Sequence, residues 1–388
     1  MVDPREPIPA QTSAPPGRPV DRDTIEGLPT VGDGSGLSPD ERFYREEVQL
    51  ALRNRGMPLE ALRYPITPTG LHYLVIHFDI PNITPDDFHL TVGGLVANPL
   101  RLTLADLQAR PSVTVAVTLE CAGNGRALLT PRPTSQPWLV EGVSTVEWTG
   151  TPLRGLLEEA GLDTRAVDIV FTGLDWGVQG GMVQAYQRSL SREEAMRDDV
   201  LLAWAMNGEP LPPQHGFPLR LVVPGWYGMT SVKWLTDISA LAEPFTGYQM
   251  VGSYRYSQSA DDPGEPVTRM RPRALMIPPG IPDFATRTRV VKAGRVALQG
   301  RAWAGRATIE RVEVSTDQGA TWAEAELDPA VSPVAWRGWR YDWDARPGRH
   351  TLAVRATTAD GETQPLTPPW THQGMGNNVV QTVDVIVV

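Results

Sequence analysis

From about residue 70 to 245, short apolar runs alternate with segments of helical period. Residues 73–76 and 113–119 are compact runs of β-branched, aromatic and aliphatic side chains and read as buried strands, whereas 153–160 and 191–196 carry the spacing of helices. The remainder, about 285–388, breaks into short runs at 296–298, 309–314, 322–327, 339–343, 350–356 and 379–387, separated by Gly, Pro, Asp and Asn. Val312 and Val314 alternate with Arg311 and Glu313, the period of a sheet wetted on one face. The pattern predicts an α+β chain: a mixed α/β domain over 39–275 followed by an all-β immunoglobulin-like sandwich over 276–388. Residues 261–285, with Pro and Gly in clusters, read as the connector, and no repeat of solenoid period is seen. Residues 1–38 hold too few large apolar side chains to offset the entropy of ordering them and read as a disordered tail. Ser38, Pro39 and Glu41 form a capping box that predicts a helix opening there.

Composition narrows the classes of function. A chain of 388 residues is long enough for two cores, and no run approaches the roughly eighteen apolar residues that span a bilayer. The formal net charge of -10 repels phosphate backbones and anionic lipid, so neither nucleic acid nor a membrane is an expected partner. The first residues lack a basic stretch followed by an apolar one, which predicts a cytoplasmic protein if Met1 is the native start. A single cysteine, Cys121, excludes an internal disulfide, a Cys-rich zinc cluster and covalent haem attachment.

That cysteine stands where chemistry is easiest to build. An apolar strand runs through Thr118, Leu119 and Glu120 into Cys121, Ala122, Gly123, Asn124, Gly125 and Arg126, small residues that let the backbone turn tightly. A thiolate at a strand end is a soft-metal ligand, and Arg126 favours the ionised sulfur and attracts an anion. A lone cysteine is also a small buried hydrophobe, and spacing alone does not choose between the two readings.

The segment from Glu120 to Arg126 resembles the metal-binding motif of the sulfite oxidase family of molybdenum-cofactor oxidoreductases. The resemblance extends in order through 171–175, 201–212, 215–220, 222–225 and 232–235, and 300–303 with 312–322 resemble the family's immunoglobulin-like dimerisation domain. It implies a molybdenum held by a molybdopterin dithiolene and by the Cys121 thiolate. It also implies a pterin held by Tyr73, Leu74, Val75, Ile76 and His77, by Asp175, His215 and Arg220, and by Ser231, Val232 and Lys233. Arg220 and Lys233 are suited to a pterin phosphate, one as a planar fork and one as a mobile point charge.

By the same resemblance, Arg126 and Tyr254 are the substrate-pocket arginine and tyrosine, with Tyr256 the alternative if the register slips. The implied reaction is oxygen-atom transfer, nominally sulfite to sulfate, with a homodimer formed through the last domain. Two expected arginines are replaced, by Val75 and Gln373, which admits a less charged sulfur compound, a sulfoxide or another oxyanion; Arg255 or His72 are candidate substitutes. The sequence shows no haem domain, flavin fingerprint or iron–sulfur cysteine set, so the expected electron route ends at a separate partner. The contrasting expectation is a non-catalytic dimeric scaffold.

Overall fold

The computed structural model describes residues 44–283 and 286–388. The tail and the box at Ser38, Pro39 and Glu41 lie outside the described residues; the first described helix is Arg45–Arg53. Among the described residues strands outnumber helices. One five-stranded sheet runs in the order Leu100–Leu102, Leu90–Gly94, Leu235–Leu241, Asp168–Gln179, Met182–Ser191, with the second and third strands parallel. A second sheet joins Val113–Glu120, Val143–Pro152, Leu201–Met206 and Glu209–Pro210, and Arg220–Val222 also pairs with Leu201–Met206. Helix Leu153–Glu159 buries Leu153, Leu156 and Leu157, and Ser191 caps Arg192–Ala195 by accepting from the Glu194 amide at 3.2 Å.

Residues 73–76 are the main departure from the expected elements. They form no strand; Leu74 makes an isolated bridge to Arg55, with amide-to-carbonyl distances of 2.7 and 2.9 Å in the two directions. Two further backbone donors are satisfied by side chains instead: Tyr73 N–H donates to Ser144 Oγ at 3.0 Å and Ile76 N–H to Asn54 Oδ1 at 2.8 Å. An apolar run can thus be buried without a ladder when polar side chains complete its backbone.

The last hundred residues form two packed sheets. One orders Arg273–Met276, Gly294–Trp303, Arg337–Ala345 and Glu326–Leu327; the other orders Ile281–Pro282, Arg289–Val291, Gln381–Val387, Gly348–Thr358, Ile309–Ser315 and Ala323–Glu324. Leu298, Val312, Val314, Trp339, Leu352, Val354 and Val385 fill the space between them. The segment expected as a connector already carries a strand of this sandwich, because Arg273–Met276 pairs antiparallel with residues 300–303. The core of the cysteine-bearing sheet also continues into this part of the chain: Val117, Leu119 and Trp148 share a cluster with Leu275, Trp303 and Trp336. Trp336 N–H donates to Thr118 Oγ1 at 2.7 Å, and Trp303 Nε1–H to Glu120 Oε2 at 2.9 Å. Among the described residues no helix is long and apolar enough to cross a membrane.

Candidate active site

Strand Val113–Glu120 delivers Cys121 into a turn held by its neighbours. Cys121 N–H donates to Gly142 O at 2.8 Å, and Asn124 N–H closes back on Cys121 O at 2.9 Å. Asn124 braces this turn twice, accepting from Gly142 N–H at 3.0 Å and donating to Glu120 Oε1 at 3.0 Å. Gly123 leaves room for the Arg126 guanidinium: an added Cβ would lie 2.5 Å from Arg126 Nη2 and force it to shift. Arg126 is buried and donates to Gln373 O and Gln136 O, both at 3.1 Å. Burial pushes the Cys121 thiol pKa up, while Arg126, the Gly123 amide and the Trp138 indole favour the thiolate. Trp138 Nε1 has no conventional hydrogen-bond partner, consistent with its being aimed at a sulfur.

Cys121 forms part of the wall of a cleft whose empty space, open solvent at the mouth included, is about 680 Å³. Tyr73, Val75, His77, Asp175, His215, Arg220, Ser231, Lys233 and Tyr254 line it with Cys121, so residues scattered over 180 positions of chain converge. Leu74, Ile76 and Val232 contribute backbone and packing but not wall, Val232 being buried in the neighbouring core. Arg126 stands beside the sulfur rather than in the wall.

One end of the cleft is cationic. Arg220 stacks over Trp148 with 4.6 Å from its guanidinium carbon to the ring centre, and donates to His215 O at 3.0 Å and Ser231 O at 3.1 Å. Gly216 permits this arrangement: its φ of +106° is left-handed, and a Cβ there would meet Lys233 Cβ at 3.0 Å and Arg220 Cβ at 3.2 Å. Lys233 Nζ donates to Val75 O at 2.7 Å and Gln214 O at 3.1 Å, and lies 4.3 Å from the Trp234 ring centre. Burial, then Arg220, lowers the Lys233 pKa; burial raises that of Asp175. His72 and His215, with ring centres 4.9 Å apart, are pushed down to about 3 and about 2 by burial and stay neutral. An anion placed here would relieve the depression of Lys233 and Arg220.

The polar inventory fits a phosphorylated, many-donor ligand. His72 Nε2 and Arg220 Nε are buried on this wall with no partner in the protein. Native interiors leave such groups unpaired where a ligand or water completes them.

The chain is similar to known proteins over most of its length. Residues 77–249 match the oxidoreductase molybdopterin binding domain, and residues 284–388 match the Mo-co oxidoreductase dimerisation domain. Human mitochondrial sulfite oxidase is 34% identical over 346 residues, covering 83% of this chain and 62% of the human protein. The chain belongs to the sulfite oxidase family of molybdopterin oxidoreductases. Another relative in the family comparison, nitrate reductase [NADH] 1 of Arabidopsis thaliana, is 31% identical over 356 residues, covering 84% of this chain and 39% of that protein. Among solved structures, the sulfane dehydrogenase SoxCD from Paracoccus pantotrophus superposes with a TM-score of 0.74 at 26% identity, covering 98% of this chain and 92% of that one. The chain thus spans less than two thirds of the length of the curated relatives it matches.

Several cleft residues escape the sequence reading. Tyr186, Gly228, Met229 and Trp234 line the wall. Tyr186 OH donates to Met229 O at 2.7 Å, on the same wall as Tyr254. Tyr254 has a φ of +57°, an uncommon conformation for a bulky residue and one that tends to be retained at functional sites. Tyr256 lies outside this wall and packs under Arg271. Of the two candidate substitutes for the missing arginines, Arg255 is committed elsewhere: it donates to Pro263 O at 2.7 Å, Gly264 O at 2.6 Å and Met250 O at 3.3 Å. His72 lines the wall but carries no charge there.

Proposed function

We propose that this chain is a molybdopterin oxidoreductase in which the Cys121 thiolate binds the molybdenum and a small sulfur oxyanion, nominally sulfite, is the substrate. The observation that carries the reading is the convergence of the single cysteine with Arg220 and Lys233 in one cleft whose buried His72 and Arg220 nitrogens lack partners. Among the described residues no cluster of three His, Cys, Asp or Glu side chains is placed to hold a metal. A metal beside Cys121 therefore needs donors supplied by a cofactor, which a dithiolene provides. The bound group supplies two-electron redox chemistry with oxygen-atom exchange. The protein's part is to hold its phosphate with Arg220 and Lys233, to fix the sulfur ligand through the Asn124 turn, and to offer the Tyr254 hydroxyl as a hydrogen-bond donor beside it. Sulfite and water would give sulfate, with two electrons and two protons leaving to a separate acceptor. The match to the dimerisation domain supports a homodimer through residues 284–388.

A second reading has its own observation. Val75 lines the cleft without a donor, and Gln373 is turned to the backbone, donating to Gly252 O at 3.1 Å and accepting from Arg255 N–H at 3.2 Å. A cleft short of two guanidinium groups suits a less charged sulfur compound or sulfoxide. Steady-state assays with sulfite and an artificial acceptor separate the readings. Sulfite as substrate predicts a kcat near the ordinary scale of about 10 s⁻¹ with a KM no higher than about 1 mM. Failure to saturate at that concentration, with saturation by a neutral sulfoxide, favours the second.

A further inference from the structure

Arg188 sits on strand Met182–Ser191, two positions from Tyr186 and therefore on the same face. It is 1% exposed, and its guanidinium carbon lies 5.4 Å from the centre of the Tyr254 ring. One Nη donates to Gln249 O, and Nε has no partner. The titratable groups that act on it are Tyr186, Tyr254 and the like-charged Arg255; among the described residues no carboxylate pairs with it. A guanidinium taken out of water without a counterion is costly, and a structural arginine in such a place is normally paired. It lies against Tyr254 and beside Tyr186, both of which line the cleft.

We infer that Arg188 is a specificity-determining positioning residue: it provides, from behind Tyr254, the positive charge that Val75 and Gln373 no longer provide at the cleft wall, and so retains affinity for a small oxyanion. The inference rests on the reading of the cleft as an oxyanion site. It makes the substrate class anionic despite the two replacements. The charge acts through the Tyr254 hydroxyl, which donates to the anion more strongly with a cation behind it, and through the low-dielectric wall that transmits the field.

The test is calorimetric binding of sulfate to the full-length holoenzyme, with molybdenum content and thermal unfolding measured on each variant. Arg188→Met is expected to weaken sulfate binding by about tenfold or more, the scale of one charge-assisted contact. It is also expected to melt no lower than the parent, because removing an unpaired buried charge relieves its desolvation cost. Arg188→Lys, which keeps the charge, is expected to stay within about threefold of the parent. Unchanged sulfate affinity in Arg188→Met, or loss of folding in Arg188→Met together with weakened binding in a folded Arg188→Lys, overturns the inference. So does a parent enzyme that carries molybdenum but does not bind sulfate. A parent without molybdenum instead overturns the broader reading of the cleft.

Discussion

Cys121→Ser is expected to lower turnover by roughly a thousandfold or more, the scale reached when a group acting on the reacting centre is removed. The substitution changes one atom in a half-buried position, so the cause can be localised. Arg126, the Gly123 amide and the Trp138 indole all favour a negative sulfur at this point. A serine hydroxyl remains protonated in the same surroundings and is a hard donor, so a soft metal loses its protein ligand. The turn itself depends on Asn124 and Gly142 rather than on the thiol, with Asn124 N–H on the carbonyl of residue 121 at 2.9 Å. Thermal unfolding is therefore expected to shift by no more than about 2 °C. Circular dichroism melts beside steady-state rates check both halves: turnover near the parent level removes the assigned role, and a large loss of stability makes the cysteine structural.

The largest expected effect on stability comes from Glu120→Ala. Glu120 and Arg273 are both 1% exposed, and Glu120 Oε1 stands 2.9 Å from Arg273 Nε. The same carboxylate accepts from Trp303 Nε1–H at 2.9 Å and from Asn124 Nδ2–H at 3.0 Å. It thereby ties the cysteine turn to two strands of the C-terminal sandwich, Arg273–Met276 and Gly294–Trp303. Truncation would leave a buried guanidinium without its counterion and an indole N–H without its acceptor, at a cost of about 3–5 kcal/mol. Denaturant unfolding is expected to show that loss, whereas Glu120→Leu combined with Arg273→Met is expected to recover most of it, because the charge that needed a partner is gone. A loss below about 1 kcal/mol in the single variant would mean that solvent reaches the pair.

The candidate site was legible in the sequence because its chemistry is concentrated in short ordered motifs. The Cys121 turn, the loop from His215 to Arg220 and the pair Ser231 and Lys233 each carry a backbone requirement, a small residue or left-handed glycine, beside a charged group. Residues 73–76 were misread as a strand because apolarity reports burial and not the partner that completes the backbone. Tyr186 and Arg188 were missed for a related reason. Period-two alternation says that both face one way from strand Met182–Ser191, but not that this side meets Tyr254. The disengagement of Arg255 from the cleft depends on carbonyls at residues 250, 263 and 264, which no side-chain pattern announces. In the sandwich the six runs bounded by turn residues all fall on strands, but 322–327 divides between the two sheets, Ile281–Pro282 and Arg289–Val291 carry no such signal, and the recruitment of Arg273–Met276 from the expected connector depends on pairing with residues 300–303.

The central claim is that the cleft beside Cys121 holds a molybdenum through a pterin. The most direct measurement is the metal and pterin content of the purified full-length protein, made in cells with cofactor synthesis intact. The account predicts about one molybdenum and one pterin per chain, released together on denaturation. Protein that folds fully and carries neither would contradict it.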